Sequence, residues 1–256
     1  MARIIVVTSG KGGVGKTTVA AFLGACLAAK GERVVLCDAD FGLNNIDVVC
    51  GVEKSVLYDV VDVIEGRCRA KQALVRHPKY YNLFVLASGR SSSERFVSPQ
   101  ALKLVLESLS GEFDYILIDS PAGIDEGFHR AVCAAREAIV VTTPHIASIR
   151  DADKAVALLK SYGLQSVSLV VNMVQGDLIV SGDALSPKEI AEILKLPLLG
   201  VVPNDYALPF SELKNPQRAF KALAESVRTG KRRIYDTTGK YTGFLGSIRR
   251  ALKRSL

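Results

Sequence analysis

The chain has 256 residues, 48% of them hydrophobic and 23% charged, which suits one large domain with an ample core and excludes a disordered chain. Its formal net charge is +7, yet nine of the 33 Lys/Arg and one of the 26 Asp/Glu lie from Arg228 onward, so that stretch carries +8 and the first 227 residues carry −1. A nearly neutral body with a basic tail speaks for an anionic partner met by the tail, and against a broadly basic nucleic-acid face. No apolar run approaches the length of a membrane span, and no signal peptide is expected ahead of the first strand. Five cysteines, Cys26, Cys37, Cys50, Cys68 and Cys133, have no metal-ligand spacing and read as reduced thiols of a cytosolic protein.

The first element is the apolar, β-branched run Arg3–Thr8, read as a strand and followed at once by Gly10-Lys11-Gly12-Gly13-Val14-Gly15-Lys16-Thr17. A Gly, four residues, then Gly-Lys-Thr between a strand and a helix is the phosphate-loop pattern. Its glycines let backbone N–H groups turn inward as a nest for phosphate oxygens. The helix expected over Lys16–Ala29 adds about half a positive charge at its N-terminus. Lys16 is expected to reach the β- and γ-phosphates and Thr17 to ligate Mg²⁺, with Gly12, Gly13, Val14, Gly15 and Thr18 lining the same pocket. Lys11 is a second lysine where the general pattern accepts any residue. It is either a solvated charge or a cation aimed across a dimer interface at the partner's nucleotide, as arginine fingers are.

The run Lys-Gly-Gly-Val-Gly-Lys-Thr resembles the deviant Walker A motif of the MinD/ParA family of ATPases, whose extra lysine acts in that crosswise way. The resemblance implies ATP and Mg²⁺ as cofactors, a homodimer formed with ATP, and catalytic roles for Lys11 and Lys16.

Further along, short β-branched runs alternate with helical patterns. Strands are expected at Arg33–Cys37, Leu83–Ala87, Tyr115–Asp119, Ala138–Thr143, Val167–Asn172 and Leu198–Val202. Helices are expected near Pro99–Leu109, Glu126–Ala135, Ser148–Ser161, Pro187–Leu194 and Pro216–Val227, with Ser98-Pro99 and Ser186-Pro187 as helix starts. The pattern is that of an α/β domain with a doubly wound, mostly parallel sheet flanked by helices, its ligands at the carboxyl ends of the strands.

The second strand ends in Cys37-Asp38-Ala39-Asp40, which puts two carboxylates beside the phosphate loop. The resemblance implies that Asp38 helps hold the magnesium hydration shell and Asp40 orients the hydrolytic water; a turn or cap is the alternative for Asp40. Phe41-Gly42-Leu43-Asn44-Asn45 looks like a first switch loop. The apolar strand ending at Asp119 is the Walker B arrangement, with Asp119 near the magnesium and Ser120-Pro121-Ala122-Gly123 opening a second switch. Thr142-Thr143-Pro144 leads to Ser148, read as the cap of a helix near the dimer surface, where family members meet partner proteins. Asn172 resembles the base-reading residue at the end of a late strand, with a strand-end turn as the alternative. Pro203 and Asp205 resemble the loop that closes over the adenine.

Residues 1–228 are thus read as the ATPase domain, 229–242 as a basic linker, and 243–256 as an amphipathic membrane-targeting helix. At about 100° per residue, Phe244, Leu245, Ile248 and Leu252 share one arc, and Arg249, Arg250 and Lys253 oppose it. A helix docked on the domain's own core and a DNA-binding tail are the alternatives. Within the family the match is to the septum-site-determining branch. It implies an ATP-dependent dimer on anionic lipid at the inner face of the cell membrane, which recruits a MinC-like division inhibitor and is stimulated by a MinE-like or other topological activator. Nucleic acid is not expected as a partner. A ParA-like DNA-partitioning ATPase or a flagellar-number regulator of the same superfamily are the rival readings.

Overall fold

The computed structural model describes residues 1–41, 45–89, 97–205, 218–244 and 246–247. Its centre is an eight-stranded sheet: β1 (Arg3–Thr8), β2 (Val34–Asp38), β3 (Leu74–Arg76), β4 (Leu83–Leu86), β5 (Tyr115–Asp119), β6 (Glu137–Thr142), β7 (Ser166–Val174) and β8 (Leu198–Pro203). The spatial order is β3-β4-β2-β5-β1-β6-β7-β8, and every pairing is parallel except β3 with β4. This is the doubly wound α/β fold expected.

Strand β1 shows why its residues are apolar without a break. Ile4 and Val6 belong to the core on one face of the sheet, Ile5 and Val7 to the core on the other, because successive side chains of a strand point to opposite faces. Both faces are covered, so alternation with polar residues has no place to occur.

On the second face lie α1 (Lys16–Ala28) and α9 (Arg218–Thr229). Helix α1 is buried on nearly all sides, since it sits between the sheet and α9, and its sequence is correspondingly apolar all round. Phe22 of α1 stacks on Phe220 of α9 with ring centroids 4.9 Å apart, and neither ring touches solvent appreciably. Burying such a ring contributes about 2–3 kcal/mol.

The opposite face carries α4 (Pro99–Leu109), α5 (Glu126–Ala134), α6 (Ile146–Leu159) and α8 (Pro187–Leu194). Ser98 caps α4 by accepting from the Ala101 N–H at 3.1 Å. Ser186 and Glu189 close a capping box on α8, at 2.7 and 3.3 Å.

Four short elements escaped the sequence reading: β3, α2 (Ile46–Cys50), α3 (Val60–Ile64) and α7 (Gly176–Ser181). Runs of three to six residues are too brief for a period to register. Helix α6 also begins earlier than expected, so Ser148 is not its cap. His145 holds the cap position without a side-chain bond, and Ser148 lies inside the helix, its hydroxyl accepting from Thr143 at 3.0 Å.

The segment after α9, read as a linker, folds back onto the body. Thr237 is buried, and the Ser226 hydroxyl of α9 accepts from the Arg233 N–H at 2.8 Å. Of the expected tail helix, Phe244 is described and is 82% exposed. Leu245, Ile248, Arg249, Arg250, Leu252 and Lys253 lie outside the described residues, as do Gly42, Leu43 and Asn44 of the expected first switch loop.

Candidate nucleotide site

The site forms at the carboxyl edge of three neighbouring strands, β2, β5 and β1. Register brings Val7 beside Asp119 and Asp119 beside Asp38, so the phosphate loop and both acidic strand ends share one cleft.

The loop itself is built on backbone that side chains resist. Gly13 and Gly15 have φ of 77° and 88°, in the left-handed region. Gly15 caps α1 with no side-chain hydrogen bond, and the first turn of α1 carries no acidic residue, so its free N–H groups face the loop's hollow. From below, the Asn172 side chain at the end of β7 donates to the Val14 carbonyl at 2.8 Å. A side chain at Gly15 would sit 2.4 Å from that amide. The loop is equally tight against α6, where a Cβ at Gly10 would lie 1.9 Å from the Asp151 carbonyl oxygen. At the loop's start the Ser9 hydroxyl donates to the Lys11 carbonyl at 2.7 Å, and beneath it the hydroxyls of Ser120 and Thr8 pair at 2.9 Å.

Lys16 is buried, and its ammonium lies within electrostatic reach of Asp119 and Asp40. Burial lowers its pKa, and those two carboxylates counter the shift. Asp119 is 1% exposed, and burial pushes its carboxyl up to about 7, against a hydrogen bond from Thr17. Its Oδ1 is buried with no hydrogen-bond partner. A native carboxylate oxygen in that state needs a ligand, and a hydrated divalent cation held between Thr17 and Asp119 fits the oxygen donors present. Asp38 is likewise buried, with its carboxyl raised to about 6 by burial. It differs from the expected magnesium-shell residue in one respect: its two oxygens accept from the N–H groups of Asp40, Asn45 and Ile46, at 2.9, 3.0 and 3.2 Å. Asp38 thereby caps α2 from a distance and ties down both ends of the first switch loop. Asp40 is half-buried at the mouth of the cleft.

Lys11, Gly12 and Gly13 are exposed, Val14 is buried, and Thr17 and Thr18 are half-buried at the start of α1. Pro203 and Asp205 lie at the end of β8, where they line a hollow of about 410 Å³ with Val174 and Gln175. Asn172 is two residues short of that hollow, and one of its amide hydrogens is held by the phosphate loop.

A family model described as an AAA domain matches residues 2–163. The septum site-determining protein MinD of Synechocystis is 39% identical over 263 aligned positions, which span 98% of this chain and 99% of that one. The chain belongs to the MinD family. Among solved structures, MinD in the MinC:MinD cell division complex of Aquifex aeolicus is 35% identical, with a TM-score of 0.84 over 93% of this chain and all of that one. MinD of Pyrococcus horikoshii, solved with Mg-ADP, is 32% identical, with a TM-score of 0.80 over 90% of this chain and 97% of that one. Membership in the MinD family agrees with the deviant loop around Lys11 and with the strand-end acids.

One residue that shapes the site, Arg130, carried no sequence signal. Arg130 of α5 is buried, with its guanidinium 5.0 Å from the ring of Phe41, so the helix after Asp119 holds the start of the first switch loop. Gly10 and Ser120 act through contacts with distant segments, which no local pattern announces.

Proposed function

We propose that this chain is a Mg²⁺-dependent ATP hydrolase that dimerises with ATP, docks by its C-terminal segment on the inner face of the membrane and helps to place the division site. The observation that carries the reading is the convergence of three groups on one cleft: the N-terminus of α1, the buried Lys16, and the unpartnered Oδ1 of Asp119. That set offers cationic and N–H groups to phosphates and oxygen donors to a cation, and nothing resembling a nucleophile or general base of the Ser/His kind. Positioning and charge neutralisation suffice for phosphoryl transfer.

In this reading Lys16 and the loop N–H groups bind the β- and γ-phosphates, and Asp40 orients a water in line with the γ-phosphorus. The water oxygen bonds to phosphorus, the bond to the β-phosphate oxygen breaks, and ADP and inorganic phosphate leave. Magnesium supplies charge neutralisation at the phosphate oxygens when bound. The exposed Lys11 of each protomer reaches the other protomer's nucleotide, so turnover needs two chains.

The tail turns dimerisation into localisation. Each basic residue near an anionic leaflet contributes about 1 kcal/mol, so one tail holds weakly, whereas two linked tails gain avidity of about 10²–10⁴. A MinC-like inhibitor is then recruited to the membrane-bound dimer, and a MinE-like or other activator ends the state by stimulating hydrolysis. Support comes from the MinC:MinD complex of Aquifex aeolicus and the Mg-ADP complex of Pyrococcus horikoshii MinD.

Sedimentation with anionic liposomes tests the switch, using the full chain and a chain ending at Thr242 with ATP, ADP or neither. The full chain pellets with ATP, and the shortened chain does not. Lipid binding that ignores both nucleotide and tail overturns the reading.

A further inference from the structure

Helix α5 turns a cation inward. Phe128, Ala131, Val132 and Ala134 of this helix are buried and apolar, whereas Arg130 among them is charged and 6% exposed. Withdrawing a guanidinium from water is costly, and an apolar side chain of like size would fill the same space without that penalty. Packing alone does not account for an arginine there.

Arg130 covers the ring of Phe41, which lies 5.0 Å from its guanidinium carbon and is itself 5% exposed. Phe41 follows Asp40, whose main chain is pinned from the other side. The Asp40 N–H donates to the Asp38 carboxylate at 2.9 Å, and the Asp40 carbonyl accepts from the Ser88 hydroxyl at 3.4 Å. One residue earlier, the Ala39 N–H donates to the Asp119 carbonyl at 2.9 Å. With the chain fixed before and after it, the main chain at Asp40 has little freedom left, and its side chain stands at the mouth of the cleft.

The same helix is seated on the segment after Asp119. A Cβ at Gly127 would stand 2.5 Å from Pro121 Cγ, so the first turn of α5 rests directly on the Pro121 ring. Ser120, just before it, is fixed to β1 by its N–H on the Val7 carbonyl at 3.1 Å and by its hydroxyl on that of Thr8 at 2.9 Å. Gly127 and Arg130 are three residues apart and share a face of the helix. Pro121, Gly127, Arg130 and Phe41 thus form one line of contacts, from the residues after Asp119 to the residue after Asp40.

We propose that Arg130 is a positioning residue for hydrolysis: it clamps Phe41 and thereby sets Asp40 against the attacking water, while Gly127 on Pro121 sets the place of Arg130 itself. The inference rests on the ATPase reading and on Asp40 as the group that orients the water.

The test is single-turnover hydrolysis of Mg-ATP by the full chain at saturating protein concentration, with calorimetry of Mg-ATP binding. Arg130→Met keeps the apolar stem and removes the guanidinium. It is expected to slow hydrolysis about tenfold, equivalent to about 1.4 kcal/mol, which is within the range of a cation held on a ring away from water. Its ATP affinity stays within about twofold, since the contact acts on the reacting geometry and not on phosphate binding. Arg130→Lys recovers about threefold of the loss, because the ammonium keeps the charge without the planar stack. Phe41→Leu slows hydrolysis as Arg130→Met does, and the double variant falls no further, as expected of two halves of one contact. Gly127→Ala leaves both side chains in place, pushes α5 off Pro121 and gives the same selective loss; with Phe41→Leu it decides the question if Arg130→Met does not fold. In an Asp40→Ala background, Arg130→Met changes the residual rate by less than about twofold, because its effect passes through the missing carboxylate.

An unchanged rate in Arg130→Met overturns the inference, as does an additive loss in the double variant, or a loss of rate and ATP affinity together that Arg130→Lys does not recover. A wild-type chain that does not hydrolyse ATP overturns the ATPase reading itself, a result distinct from these.

Discussion

The side-chain amide of Asn172 donates to the carbonyl of Val14 at 2.8 Å, so the end of β7 supports the phosphate loop across the sheet. Asn172 was expected to read a base, and this bond gives it a second, more local role. The Val14 carbonyl has no other fixed donor among the described contacts, and Asn172 is 5% exposed.

Removing the amide leaves a buried acceptor unpaired, at a cost of about 1–3 kcal/mol. Asn172→Ala is therefore expected to weaken ATP and tripolyphosphate alike, about tenfold, as measured by calorimetry. Loss confined to ATP would return the residue to base reading alone.

Lys11 sits exposed at the rim of the loop, and its backbone rather than its ammonium is held in place by Ser9. Lys11→Ala is expected to keep monomer ATP affinity within about twofold and to lower steady-state turnover by about 10³ or more, the scale of a lost transition-state cation. Turnover of the wild-type chain should rise more than linearly with protein concentration. Wild-type hydrolysis in the variant would make Lys11 a surface charge only.

Asp119 carries a destabilised charge in the metal-free chain, since burial pushes its carboxyl up to about 7. Asp119→Asn retains an acceptor for the Thr17 hydroxyl and removes the charge. Without nucleotide the variant is expected to be more stable than wild type by about 1–3 kcal/mol in urea unfolding, while Mg²⁺-dependent ATP turnover is lost. A variant less stable than wild type at pH 8 would show that the charge is well solvated or paired.

His77, far from the cleft, gives the chain a pH-dependent component of stability. Its Nδ1 accepts from the N–H groups of Lys79 and Tyr80, at 3.1 and 3.2 Å, which requires the neutral ring. Burial, with Lys79 nearby, lowers its pKa. The unfolded chain takes up the proton first, so this contribution is complete above about pH 6.5 and is lost as pH falls below it. Asn at 77 supplies a similar acceptor that does not titrate. Thermal melts from pH 8 to pH 5.5 should show a steeper loss in wild type than in His77→Asn, and equal slopes would remove His77 from this role.

The phosphate loop was legible because its chemistry is contiguous: Gly13, Gly15, Lys16 and Thr17 act within a few residues of one another. The strands β1, β5 and β6 were legible because burial on both faces leaves unbroken apolar runs. The short elements β3, α2, α3 and α7 were not, since three to six residues are too few for a period to register. Asp38 illustrates the difference within one residue. Its place at a strand end was readable, whereas its bonds to Asp40, Asn45 and Ile46 depend on how the following loop returns.

By itself, then, the sequence determined the order of the longer strands and helices, the position of the phosphate loop and the acidic strand ends, because each is written in neighbouring residues whose propensities and chemistry act locally. Only the tertiary structure decided which distant segments close upon that loop: Asn172 beneath Val14, Asp151 against Gly10, Arg130 on Phe41, and the segment around Thr237 against Gly176. These contacts join residues tens to hundreds of positions apart, and their strength comes from burial and close approach, which exist only once the chain is folded.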